Sequence, residues 1–69
     1  MKVTYDAEVD VLRIILSDEA IAESDEDKPG IIIDYDVQGN VVGMEILDAS
    51  RRGLSAHSVE YAITGLKGA

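Results

Sequence analysis

The pentapeptide Asp36-Val37-Gln38-Gly39-Asn40 lies between two apolar, β-branched runs, Ile31-Ile32-Ile33 before it and Val41-Val42 after it. Asp at the first position and Gly at the fourth fit a type I turn, with the glycine in the left-handed region. Asp36, Gly39 and Asn40 are therefore read as the structural residues of a tight hairpin. A chain that reverses here sets Gly30 to Asp36 and Asn40 to Asp48 side by side as antiparallel strands. Pro29-Gly30 launches the first of the two. Gly43, inside the second, signals a bulge or a close backbone approach.

The earlier residues extend the same pattern. Lys2 to Asp6 reads as a strand, Asp6-Ala7-Glu8 as a polar turn, and Val9 to Leu16 as a second strand. In that strand Leu12, Ile14 and Leu16 share one face, while Val9, Val11 and Ile15 share the other. With only Arg13 interrupting the second set, the strand is expected to be covered on both sides, by a helix on one and by another sheet or subunit on the other. After Ala49 the period changes. Val59, Ala62, Ile63 and Leu66 fall at i, i+3, i+4 and i+7, one face of a helix capped by Ser58 or Ser55, with Gly65 weakening its last turn. Ala49 to Leu54 fits neither pattern. The expected fold is α+β: one domain over residues 1–69, an antiparallel sheet of four to five strands in two hairpins, and a short C-terminal helix.

Size sets a further condition. A chain of 69 residues buries only about 60% of the surface its unfolded form exposes, and such domains need disulfides, a metal or a partner chain. There is no cysteine, which excludes disulfides, thiolate metal sites and cysteine catalysis. The remaining staple is a partner, so a homodimer or higher homo-oligomer is expected.

The formal net charge is −8. Phosphate backbones repel such a chain, and Arg51-Arg52 is its one basic pair, read as a solvated helix end or loop, so no direct nucleic-acid binding is expected. Ser17 to Lys28 concentrates Asp18, Glu19, Glu23, Asp25, Glu26 and Asp27, with Ile21-Ala22 as a short edge strand. One reading is a solvated loop with a charged edge that discourages aggregation. The other is a recognition surface for a basic protein, because complementary charge speeds encounter. The longest uninterrupted apolar runs, Ile31 to Ile33 among them, are far too short to span a membrane, and the first residues lack a signal-peptide core. No membrane association and a cytoplasmic location are the expectations.

Asp34, Asp36, Gln38, Gly39 and Glu45 match the spacing of a calcium-binding loop flanked by helices. The flanks, however, read as strands. If Asp36 lies across from Asn40, then Asp34 faces Val42 and Ile31 faces Glu45, which holds Asp34 and Glu45 about three residues, roughly 10 Å, apart. One ion cannot bridge that gap, so Asp34, Asp36 and Glu45 are retained only as the weakest of metal candidates and no cofactor is expected. His57, the one histidine, has Asp48, Ser50, Ser55 and Ser58 near it in sequence, but a serine-rich helix start explains the serines by capping. No catalytic residue is assigned, and the chain is not expected to be an enzyme.

Tyr5-Asp6, Glu8 and Asp10-Val11-Leu12, followed by Asp34-Tyr35-Asp36, Gly39-Asn40, Gly43, Glu45-Ile46 and Asp48-Ala49-Ser50, resemble a known prokaryotic family, the domain of unknown function family numbered 2283. The resemblance runs from Val3 to Ser50. Arg13 departs from it, standing where the family pattern has an aromatic, and residues from Arg51 onward lie outside it. The family has no established activity to carry over. Its genes often stand beside genes for small toxin-like proteins, so the resemblance implies an antitoxin-like binding partner. The sequence thus favours an acidic protein-binding module, with a purely structural or oligomeric domain and a calcium- or ligand-binding protein as the alternatives.

Overall fold

The computed structural model describes residues 1–55 and 57–67. Five strands follow one another: β1 (Lys2–Asp6), β2 (Val11–Ile15), β3 (Glu23–Lys28), β4 (Ile31–Tyr35) and β5 (Val41–Leu47), and a 3₁₀ turn over Ala49–Arg52 follows the last. They form one antiparallel sheet in the order β1-β2-β5-β4-β3.

The central pairing is the β4–β5 hairpin. The Asp36 amide donates to the Asn40 carbonyl at 2.9 Å and the Gly39 amide to the Asp36 carbonyl at 3.0 Å. Gly39 takes φ +84°, the left-handed conformation that closes a three-residue loop on a type I turn. Below the turn the register slips. Tyr35 pairs with Val41 and Asp34 with Gly43, so Val42 is the extra residue of a bulge. Gly43 combines the two roles foreseen for it. It adjoins the bulge, and a Cβ built there would lie 3.2 Å from both Asp34 Oδ2 and the Ile14 carbonyl.

β2 starts later than its apolar pattern suggests, at Val11 instead of Val9. Asp10 adopts φ +58°, which turns the chain sharply before the strand begins. After β2 the chain crosses from the second strand of the sheet to its far edge through residues 16–22. The Leu16 and Ser17 amides both donate to the Val42 carbonyl, at 2.9 and 3.2 Å. The acidic segment is more regular than expected. The edge strand is Glu23–Lys28, six exposed residues, instead of Ile21-Ala22. A strand can form there because an edge needs only the free backbone groups of β4, and its side chains need bury nothing.

The expected C-terminal helix is absent, and with it the α+β class: among the described residues the single helical element is the 3₁₀ turn. The apolar positions that would have formed its buried stripe are bare, with Val59 60%, Ile63 63% and Leu66 76% exposed. A helix this short draws its stability from burial of one face, and none is buried here. Gly65, at φ +75°, interrupts the backbone as well. The second strand therefore lacks the helical cover expected for it. Val42 and Ala49 are the buried apolar residues among those described, and Asp34, 1% exposed, is the buried polar one.

Candidate interaction face

Strand alternation and the pairing registers sort the side chains onto two faces. Thr4, Arg13, Glu45, Ile32 and Glu26 lie on one, together with Val11, Ile15 and Leu47, and Arg13 is directly opposite Glu45. This mixed face carries the crossover. Ser17, Asp18, Glu19 and Ile21 roof a cavity of about 220 Å³ floored by Asp34, Val42 and Gly43. The other face is apolar from β1 to β4: Val3 and Tyr5, then Leu12 and Ile14, then Met44 and Ile46, then Ile31, Ile33 and Tyr35. None of these side chains is buried. The tail meets its β1 margin, where the His57 ring meets Tyr5 edge-on at 6.4 Å and Tyr61 shares a cleft with Met1 and Val3.

The polar residues singled out in the sequence serve this sheet as fasteners. Asp36 closes its own turn: Oδ1 accepts the amides of Gln38 and Asn40, both at 2.9 Å, and Oδ2 accepts the Asn40 side-chain amide at 3.3 Å. These donors, the Asn40 amide first, hold the Asp36 carboxyl below its ordinary range. Asp34 Oδ1 accepts the Ser24 hydroxyl at 2.6 Å, tying β4 to β3, while Oδ2 has no hydrogen-bond partner.

The bulge corrects the spacing expected for the calcium pattern. Asp34 pairs with Gly43 and Glu45 with Ile32, so Asp34 and Glu45 are two residues apart along the strands and share a face. Asp34 lies under the crossover and Asp36 is engaged in its turn. Among the described residues no group of three or more acidic, histidine or cysteine side chains converges in metal-binding geometry.

A node at the other end of the sheet was not foreseen. Asp10 Oδ1 accepts the Tyr5 hydroxyl at 2.6 Å and the Ser50 amide at 3.0 Å, and Oδ2 accepts the Ser50 hydroxyl at 2.7 Å. The Asp10 carbonyl accepts the Ala49 amide at 3.1 Å, and Ala49 is fully buried. The Tyr5 bond is the main cause that lowers the Asp10 carboxyl, with Ser50 adding to it, and the same bond raises the Tyr5 phenol. Ser50 is thus bonded to Asp10, and the His57 ring packs edge-on against Tyr5.

Arg52, exposed as expected at the end of the 3₁₀ turn, is also a clasp. Its Nε donates to the Leu47 carbonyl at 2.9 Å and an Nη2 hydrogen goes to the Pro29 carbonyl at 2.5 Å, joining the 3₁₀ turn to the β3–β4 connection. For the Asp10 node the advance signal was the family resemblance, since Tyr5, Asp10, Ala49 and Ser50 all carry it, whereas Arg52 lies outside it. The residues that define the resemblance are therefore largely those that fasten the sheet.

The six acids do not form one patch. Asp18 and Glu19 lie on the crossover, Glu23 and Asp25 flank the apolar face from the edge strand, Glu26 faces the other way, and Asp27 sits where the β3–β4 register shifts. All six are exposed. Among the described residues no helix is long and apolar enough to cross a membrane.

Comparison with known proteins adds a family. The family model described as "Protein of unknown function (DUF2283)" matches residues 2–50 of the 69. No curated protein and no solved structure matches the chain.

Proposed function

The chain belongs to this family of unknown function, whose description supplies no activity, and we propose that it works by binding another protein chain through the apolar face of its sheet. The observation that carries this reading is the face itself: four adjacent strands present an unbroken aliphatic and tyrosine surface on which no side chain is buried. Monomeric soluble proteins rarely leave a contiguous apolar patch of that extent open, and where one is open it marks a contact. The role is binding and not catalysis, since the ordered carboxylates Asp10 and Asp36 are bonded to groups of their own fold.

The narrower, antitoxin-like version takes the partner to be a small basic protein. Its support is the exposure of Glu23 and Asp25, which flank the apolar face, and of Asp18, Glu19, Glu26 and Asp27 on the crossover and the edge strand, which favours encounter with positive charge.

The test uses the full chain. Self-association is measured by sedimentation, and binding to the product of the adjacent gene by calorimetry. Whichever association is found, Ile33→Lys should abolish it and Arg13→Ala, on the opposite face, should leave it. A chain that associates with neither, or an association indifferent to Ile33→Lys, overturns the reading.

A further inference from the structure

Resting on that reading, we propose that the occupant of the apolar face is a second copy of this chain, packed face to face about a two-fold axis to make a two-layer sandwich. Surface area gives the first reason. The chain exposes 5454 Å². A compact monomer of its 7.4 kDa would expose about 4,200 Å². The excess, about 1,200 Å², is shared between the half-buried sheet face and the exposed tail, and a standard stable interface removes roughly 800 Å² per partner, so the face need supply only part of it.

Shape gives the second. The Cα radius of gyration is 13.9 Å where a compact chain of this length would have about 11 Å. The narrowest extent is 19 Å, the thickness of a single sheet with its loops. Domains are built from at least two packed layers, and a second sheet at about 10 Å supplies the missing one.

Charge decides between occupants. The centre of the face, Leu12, Ile14, Ile33, Met44 and Ile46, contains no ionisable group, so a basic partner would find nothing there to pair with. A second copy meets it with the same aliphatic surface, and a two-fold contact needs only self-complementarity. The acids Glu23 and Asp25 fall at the rim beside solvent. The two copies, each of formal charge −8, repel at long range, so added salt should tighten the pair.

The chain has no cysteine, so single-cysteine variants report contacts cleanly. Met44→Cys lies on the central strand and faces the proposed partner, and Glu45→Cys, its neighbour, faces away. Full-length protein is studied by sedimentation equilibrium and by bis-maleimide cross-linking. The expected result is a species of twice the chain mass, tighter at about 0.5 M than at about 0.05 M salt, with a melting temperature that rises with concentration. Met44→Cys should cross-link in high yield and Glu45→Cys should not. The cross-link keeps the test open even if a charged substitution on the face fails to fold. A monomer whose face binds the adjacent gene product overturns this inference and leaves the interaction reading standing. A dimer in which Met44→Cys fails to cross-link, or a monomer that binds nothing, overturns both.

Discussion

Replacing Gly43 by alanine tests whether the bulge and the buried carboxylate beneath the crossover form one tightly packed unit. The new methyl would lie 3.2 Å from Asp34 Oδ2 and 3.2 Å from the Ile14 carbonyl oxygen. The backbone oxygen belongs to a paired strand and cannot retreat. The carboxylate is 1% exposed and bonded to Ser24, so it can retreat only by breaking that bond. Forcing a methyl into such a site costs about 1–3 kcal/mol. The reduced freedom of the unfolded chain returns about 0.4–1 kcal/mol, leaving a net loss near 1–2 kcal/mol. For a domain of this size 1 kcal/mol moves the melting temperature by about 4–8 °C, so thermal unfolding by circular dichroism should show a fall of at least that much. A cycle with Asp34→Ala locates the clash. If the carboxylate is the obstacle, the double variant recovers part of the loss, with a coupling of at least about 0.5 kcal/mol. A Gly43→Ala variant as stable as the parent, or a cycle without coupling, would refute this account of the site.

Other expectations follow from the fasteners. Arg52→Ala removes bonds to the Leu47 and Pro29 carbonyls and should cost about 1–2 kcal/mol in urea unfolding, and Arg52→Lys should not restore it because one ammonium cannot span both acceptors. The lowered carboxyls of Asp10 and Asp36 bind protons less readily folded than unfolded. Their contribution is complete above the unfolded aspartate value of about 3.9 and is lost as pH falls below it, so Asp10→Asn should flatten the acid limb of a stability–pH profile. The raised Tyr5 phenol has the opposite sense: its contribution holds below the ordinary tyrosine value of about 10 and is lost as pH climbs past it, and Tyr5→Phe should remove that alkaline limb. Gly39→Ala meets no atom within 4 Å but must hold φ +84°, and should cost about 1–2 kcal/mol through strain alone.

Local chemistry made the centre of this protein legible. Asp36 and Gly39 announce the turn because their preferences are satisfied within five residues, and the alternation of Leu12 and Ile14 against Val11 and Ile15 assigns β2 its two faces whatever lies beside them. Gly43 marked the bulge, though not its size, and the one-residue slip at Val42 brought Asp34 and Glu45 closer than an unbroken ladder would. The amphipathic tail misled because its period states which side chains would share a buried stripe. It does not say that anything is present to bury them, and in the single chain nothing is.

What the sequence determined by itself was an antiparallel sheet built on hairpins. Tertiary structure alone decided that β2 lies beside β5, that a six-residue segment with five charged side chains forms the edge strand, that Asp10 reaches Ser50 forty positions away, and that Arg52 closes the Pro29 corner. The division has a physical cause. Turns and strand faces are set by torsional preference and side-chain period within a few residues. Strand order, edge pairing and long-range hydrogen bonds depend on backbone groups that every residue carries alike, and they acquire partners only once the chain has folded.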